Sequence, residues 1–243
     1  MIVIPKAILF DLDDTLISLS GAAQKAFEHV CRSFLQERQM PFDYNALIKS
    51  VKEVMDWFWG DPERHRTGRL DLDNTRRKIF LQAFSSLNCN DAAEAHGLAD
   101  AYGKCQEDMT CLFPNTVATL EALQKAGMKM GLITNGSVRK QRAKIERFSL
   151  EKYFAFCLIE EEAGFGKPDL RVYEKALELL NMDASDVWMV GDNLIWDIEA
   201  PQKLGIYAVW VDMGNRTYFT APDVVPDKTI KDISELLHLI PEY

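Results

Sequence analysis

Nothing in this 243-residue chain approaches about twenty uninterrupted apolar residues, so no segment reads as a membrane span. Met1 to Phe10 is short and lacks the layered composition of a secretory leader. Positive charge is also scarce: 28 Lys and Arg stand against 37 Asp and Glu, a net charge of −9. That balance argues against a general binder of nucleic acid polymers, which needs a basic face to displace phosphate counterions. Cysteines are few, odd in number and scattered, at Cys31, Cys89, Cys105, Cys111 and Cys157, with no C-x-x-C spacing. Reduced, mostly buried thiols are expected, and a zinc site is not. Internal repeats and low-complexity runs are missing too. Together these absences leave the expectation of a cytoplasmic protein with no membrane partner.

What is present is 47% hydrophobic residues, enough for a substantial core in one large domain or two smaller ones. The most informative segment follows the apolar run Ala7-Ile8-Leu9-Phe10: Asp11-Leu12-Asp13-Asp14-Thr15-Leu16. Residues two apart in an extended segment face the same way. Carboxylates beyond the end of a buried parallel strand point into the crevice where ligands sit. Two held together repel, and a divalent cation or a shared proton relieves them. A magnesium-type site is the expectation. The ordinary alternative is that Asp11 and Asp13 satisfy backbone N–H groups at a strand end.

Three companions follow in order. Met128 to Ile133 reads as a strand running into Thr134-Asn135-Gly136-Ser137, a turn whose hydroxyl, amide and helix-start N–H groups suit a phosphate oxygen. Gly164-Phe165-Gly166-Lys167-Pro168-Asp169 sets a lysine between a flexible glycine and a proline expected to start a helix. Val187 to Val190 reads as a strand ending in Gly191-Asp192-Asn193, with Asp197 five residues beyond Asp192. Each has an ordinary role as a cap or a surface charge. Their joint placement at strand ends points to one site.

The four segments resemble the motifs of the haloacid dehalogenase-like hydrolase superfamily, in its phosphatase branch: Asp11-Leu12-Asp13-Asp14-Thr15, Thr134-Asn135, Lys167, and Gly191-Asp192 with Asp197. No catalytic position departs from the pattern. The last motif is followed by Ile198-Glu199-Ala200-Pro201 where the family often has a Gly-Ala pair. The resemblance implies Asp11 as the nucleophile that forms an aspartyl-phosphate and Asp13 as the acid that protonates the leaving alcohol. Magnesium would be held by Asp11, the Asp13 backbone carbonyl and Asp192, with Asp197 orienting the site from beside it. Thr134, the Asn135 backbone N–H and Lys167 would stabilise the transferring oxygens. The implied reaction is magnesium-dependent hydrolysis of a small phosphomonoester. A phosphomutase would keep every motif, while a metal-independent 2-haloacid dehalogenase would need neither Asp13 nor Asp192. A non-catalytic copy of the fold is disfavoured because each catalytic position is filled.

Hydrophobic periodicity divides the chain into an α/β core, residues 1–17 and 113–243, and an inserted all-helical segment, residues 18–112. Four amphipathic helices are expected in the insertion, carrying Ala23, Phe27, Val30 and Phe34; Leu47, Val51, Val54 and Phe58; Ile79, Ala83, Phe84 and Leu87; and Leu98, Tyr102, Cys105 and Met109. Asp43 and Asp73 are the expected N-caps of the second and third. In the core, strand and helix alternate: strands 128–133, 154–159, 187–190 and 206–211, and helices 138–148, 170–180, 195–204 and 233–239, with a short strand near Val224-Val225. That alternation predicts a Rossmann-like, doubly wound parallel sheet covered on both faces.

A helical insertion between the first and second motifs resembles the family's mobile cap, with Leu16 to Gly21 and Cys111 to Asn115 as hinge strands. Within it, Trp57 or Trp59 is a candidate stacking wall, and one of Arg64, Arg66, Arg69, Arg76 and Arg77, with Arg76 the first choice, a candidate clamp for the leaving group. The opposing expectation puts the aromatics in the bundle core and the arginines on its solvated face. A loose similarity to other caps suggests a nucleoside monophosphate or a sugar phosphate as substrate.

Overall fold

The computed structural model describes residues 4–212, 221 and 223–240. Two compact units emerge: residues 1–18 with 112–243, and residues 19–111.

The first unit begins with β1 (Ala7–Phe10), whose four residues are all buried, as a strand covered on both faces requires. Short strands β2 (Ile17–Ser18) and β3 (Cys111–Leu112) mark where the chain leaves and re-enters this unit. Then follow β4 (Lys129–Thr134), β5 (Cys157–Ile159), β6 (Val187–Gly191), β7 (Tyr207–Val211) and β8 (Lys228–Ile230). They form one six-stranded sheet in the order β5-β4-β1-β6-β7-β8, every pairing parallel. In register, Phe10 lies beside Leu132 and Val190. The catalytic candidates that follow β1, end β4 and follow β6 therefore emerge side by side at one sheet end.

Alternate residues of the central strands enter two separate cores. Ile8, Phe10, Leu132, Trp188 and Val190 pack with Leu120, Leu123, Ile145 and Leu236 on one face. Ala7, Leu9, Ile133, Val187 and Met189 pack with Val172, Tyr173 and Ala176 on the other. This is the doubly wound arrangement that the strand-helix alternation predicts.

The second unit holds five helices among the described residues, one more than periodicity suggests: α1 (Leu19–Glu37), α2 (Tyr44–Trp59), α3 (Pro62–Leu70), α4 (Leu72–Ser86) and α5 (Ala92–Met109). The additional α3 is too polar to show an apolar face, but Asp61 caps it through Arg64 N–H and Pro62 begins it. Asp43 caps α2 as expected. Asp73 does not cap α4: Asp71 holds that position, and Asp73 lies in the first turn, where its charge favours the helix N-terminus. Phe27, Phe80 and Tyr102 meet largely edge to face inside this bundle, with Leu47, Val51 and Leu98 around them.

The remaining helices of the first unit are α6 (Thr116–Lys125), α7 (Val138–Arg147), α8 (Glu160–Ala163), α9 (Leu170–Leu180), α10 (Ala200–Gln202) and α11 (Leu236–Leu239). Pro168 does not start a helix. It precedes the N-cap Asp169 of α9 and is joined to Lys167 by a cis peptide bond. The helix expected over 195–204 opens instead as a π turn, Leu194–Glu199, before α10. Pro201 explains this, because in a regular α-helix its ring would press on the Asp197 carbonyl. The strand expected near Val224-Val225 lies further on, at β8, since Pro226 has no N–H to offer a ladder. Among the described residues, no helix is long and apolar enough to cross a membrane.

Candidate active site

Asp11 follows β1 directly, and its N–H donates to the Val190 carbonyl at 2.9 Å, which extends the strand pairing by one residue and aims the carboxylate past the sheet. The side chain is buried, and the Thr15 hydroxyl donates to Oδ2 at 3.2 Å. Asp14 takes a left-handed backbone conformation, φ 62°, that turns the chain sharply after Asp13.

Lys167 is the electrostatic centre. It is only 1% exposed, and its Nζ donates to Asp11 Oδ1 at 2.5 Å and to Asp197 Oδ1 at 2.6 Å. Burial alone would push this ammonium down, but Asp11 and Asp197 against it hold it above its ordinary value. Burial pushes the Asp11 carboxyl up to about 7; Lys167 pulls against that shift, and Asp197 adds to it. Burial also raises the Asp192 carboxyl well above the usual range, with Asp11, Asp197 and Asp14 adding to the effect.

Asp11, Asp192 and Asp197 each bring one carboxylate oxygen within 4.8 Å of the others. Burial and the crowding of three acids around one ammonium raise two of their carboxyls, and an all-oxygen donor set of this kind suits a hard divalent cation such as magnesium in place of the retained protons. The residues present therefore fit that ion. The sharp turn that brings Asp197 into the cluster depends on Gly191: a Cβ there would lie 2.3 Å from the Asp197 carboxyl carbon. Asp197 also accepts from the Asn193 N–H at 3.0 Å, and Trp210 Nε1 holds the Asp192 carbonyl at 2.8 Å.

Thr134 ends β4 with its side chain buried beside the site. Asn135 spends its side-chain amide on the Lys167 backbone, bonding both its N–H and its carbonyl. The Asp13 side chain lies outside the acidic cluster and faces α7, where Lys144 Nζ donates to both its oxygens at 2.7 and 2.6 Å and Gln141 Nε2 donates at 2.9 Å. Gln141 also donates to the Thr134 hydroxyl.

The two candidates in the helical unit have different surroundings. Arg76 is 6% exposed and lies against α5, where it donates to Gln106 Oε1 and sits over the Tyr102 ring; a Cβ on Gly103 would lie 2.8 Å from its Nη1. Trp57 is 52% exposed and carries the Arg64 guanidinium 4.0 Å from its ring centroid.

Sequence reasoning missed Gln141, Lys144 and Glu160. Glu160 is buried and accepts the Gly136 N–H at 2.9 Å, which shapes the turn after Thr134. A faint signal for Gln141 existed: in α7 it shares a face with the buried Ile145, amid a helix otherwise crowded with Arg and Lys.

The family model described as haloacid dehalogenase-like hydrolase matches residues 5–205. A glyceraldehyde 3-phosphate phosphatase of Pyrococcus furiosus is 29% identical over 86% of this chain and 81% of its own length. Among solved structures, the magnesium-bound HAD-hydrolase YfnB of Bacillus subtilis superposes with a TM-score of 0.74 at 20% identity, covering 98% of this chain and 99% of that one. A 2-haloacid dehalogenase of Pseudomonas syringae superposes with a TM-score of 0.62 at 30% identity, covering 97% of this chain and 98% of that one. With Asp11, Lys167, Asp192 and Asp197 gathered in one acidic site and a family match across most of its length, this chain belongs to the haloacid dehalogenase-like hydrolases.

Proposed function

We propose that this hydrolase is a magnesium-dependent phosphatase of small phosphomonoesters that works through an aspartyl-phosphate on Asp11. The observation that carries the proposal is Lys167, buried between Asp11 and Asp197 within a three-carboxylate cluster. That arrangement offers a nucleophile, a fixed cation and a seat for a second cation, as attack by an anion on a phosphate dianion demands. The name of the Pyrococcus furiosus relative supports the same reaction class.

In the first step an Asp11 oxygen bonds to phosphorus while the bond to the leaving oxygen breaks, and Asp13 gives its proton to that oxygen. In the second, water attacks phosphorus, Asp13 takes a proton from it, and the Asp11 carboxylate is released with inorganic phosphate. The Thr134 hydroxyl, the Asn135 N–H and the Lys167 ammonium stabilise charge on the transferring oxygens. Asp11, Asp192 and the Asp13 carbonyl would hold magnesium, with Asp197 beside them, and the bound ion would supply charge neutralisation at the phosphoryl group. The helical unit, residues 19–111, acts in this proposal as the cap that selects the leaving group, with nucleoside monophosphates and sugar phosphates as the first substrates to try.

The Pseudomonas syringae relative favours halide release as the competing reading. The test is phosphate release from nitrophenyl phosphate, with and without magnesium, in parallel with halide release from a 2-haloacid. Phosphate release that stops in chelator and in Asp11→Asn supports the phosphatase. Halide release unaffected by chelator overturns it, and transfer back to the substrate without free phosphate would make the chain a mutase.

A further inference from the structure

Three N–H donors converge on the two oxygens of Asp13, two contacts from Lys144 and one from Gln141, both on α7 and three residues apart. Neither residue belongs to the four motifs. Gln141 is 2% exposed, and its single Nε2 bridges Asp13 Oδ2 and Thr134 Oγ1. Because a Gln amide nitrogen only donates, the Thr134 hydroxyl must accept here, which leaves its own proton to be offered elsewhere. The carboxylate on Asp13 can accept all three contacts, which fixes the amide with its nitrogen towards the acid.

The helix that carries these residues is itself tied down. The Val138 N–H at its start donates to Glu161 at 2.6 Å, and the Gly136 N–H ahead of it donates to the buried Glu160. Lys144 and Gln141 therefore work from a rigid element, which is what orientation of a reacting group requires.

We propose that Lys144 and Gln141 are positioning residues for phosphoryl transfer: their contacts hold the Asp13 carboxylate in one orientation for its exchange of a proton with water and the leaving oxygen, Lys144 giving up one of its two contacts when the carboxyl is protonated, and Gln141 locks Asp13 to Thr134 so that leaving group and phosphoryl group are handled by one rigid unit. The proposal rests on Asp13 being the general acid. Lys144 then matters in proportion to how much the leaving group needs a proton, whereas Gln141 also orients the hydroxyl aimed at phosphate and matters for every substrate. A lysine serving only to solvate a surface carboxylate would show no such dependence.

The test compares two esters of similar size, nitrophenyl phosphate with a good leaving group and benzyl phosphate with a poor one. Lys144→Met should lower kcat for benzyl phosphate by about tenfold to a hundredfold more than for nitrophenyl phosphate, with KM little changed. Lys144→Arg should recover most of that loss. Gln141→Met should lower kcat for both esters to a similar degree. Asp13→Asn is measured alongside: if it does not discriminate between the esters, Asp13 is not the acid and the underlying assignment fails. If Asp13→Asn discriminates and Lys144→Met does not, the positioning role alone is overturned. Equal losses for both esters in Lys144→Met, with a lowered Tm and no recovery in Lys144→Arg, would likewise overturn it by reducing Lys144 to scaffold.

Discussion

The side-chain amide of Asn135 closes on the backbone of Lys167, its Oδ1 accepting the Lys167 N–H at 2.8 Å and its Nδ2 donating to the Lys167 carbonyl at 2.7 Å. This pairing copies the two-way hydrogen bonding of neighbouring strands and joins loops thirty-two residues apart. Gly166 permits it, since a Cβ there would lie 2.5 Å from Asn135 Oδ1. Asn135→Ala should therefore cost about 1–3 kcal/mol of stability and lower kcat by loosening Lys167. Asn135→Asp should be no better, because a carboxylate cannot donate to the Lys167 carbonyl. Urea unfolding and steady-state kinetics of both variants check this; full activity in Asn135→Ala would count against a positioning role.

Lys167→Met leaves Asp11 and Asp197 buried without their shared cation. Stranding buried charge in this way costs about 3–5 kcal/mol, so the variant should unfold at clearly lower denaturant and have no measurable turnover. A stable and active Lys167→Met protein would remove the lysine from the site's chemistry.

The sign of the Asp11 shift sets a pH dependence. Its folded pKa, about 7, lies above the ordinary 3.8, so between those values the folded state holds a proton that the unfolded chain has released. Stability from this group is then greatest at low pH and declines as pH rises through about 7, by a few kcal/mol in all. In chelator, wild type should lose stability relative to Asp11→Asn as pH rises from about 4 to 7, while saturating magnesium should flatten that difference. Unfolding curves at stepped pH measure it, and a difference of the opposite slope would refute the assignment.

Gly191→Ala should weaken magnesium binding without removing any carboxylate, since the new methyl would collide with Asp197. Calorimetric titration of the ion against wild type, Gly191→Ala and Asp192→Asn is the measurement. Unaltered affinity in Gly191→Ala would mean that the close approach of Asp197 is dispensable.

Arg76 and Trp57 separate scaffold from selectivity. Arg76 is buried against Gln106 and Tyr102, so Arg76→Ala should lower Tm, whereas Trp57→Ala at a half-exposed position should not. If the pair reads the leaving group, both variants should re-rank bulky against small phosphate esters in kcat/KM. Uniform losses in both would move leaving-group recognition to other residues of the helical unit.

The core strands were legible because their residues are apolar on both faces and end in chemically unusual groups. Asp11, Thr134 and Asp192 were legible for the same reason, since each ends or closely follows an apolar run, whereas Lys167 showed only by its place between Gly166 and Pro168. The helical unit was less so. α3 carries Arg64, His65, Arg66 and Arg69 and shows no apolar stripe, so its start is written only in Asp61 and Pro62. The π turn at Leu194–Glu199 is a steric response to Pro201, which period-counting treats as ordinary helix. Lys144 was invisible because a lysine on a strongly basic helix looks like solvated charge. Its partner, Asp13, lies 131 positions away.

The order β5-β4-β1-β6-β7-β8 sets Asp11's strand between neighbours that are synthesised long after it. Emerging from the ribosome, Ala7–Phe10 must wait for Lys129–Thr134 on one side and Val187–Gly191 on the other. Until both arrive, an apolar segment with unpaired edges is exposed to wrong partners. No fragment ending before Asp197 holds all three acidic groups, so a cation bound as proposed would stabilise only a chain that extends past that residue. Closure of the site is therefore a late, long-range event, and chains cut short of Asp197 should gain no stability from added magnesium.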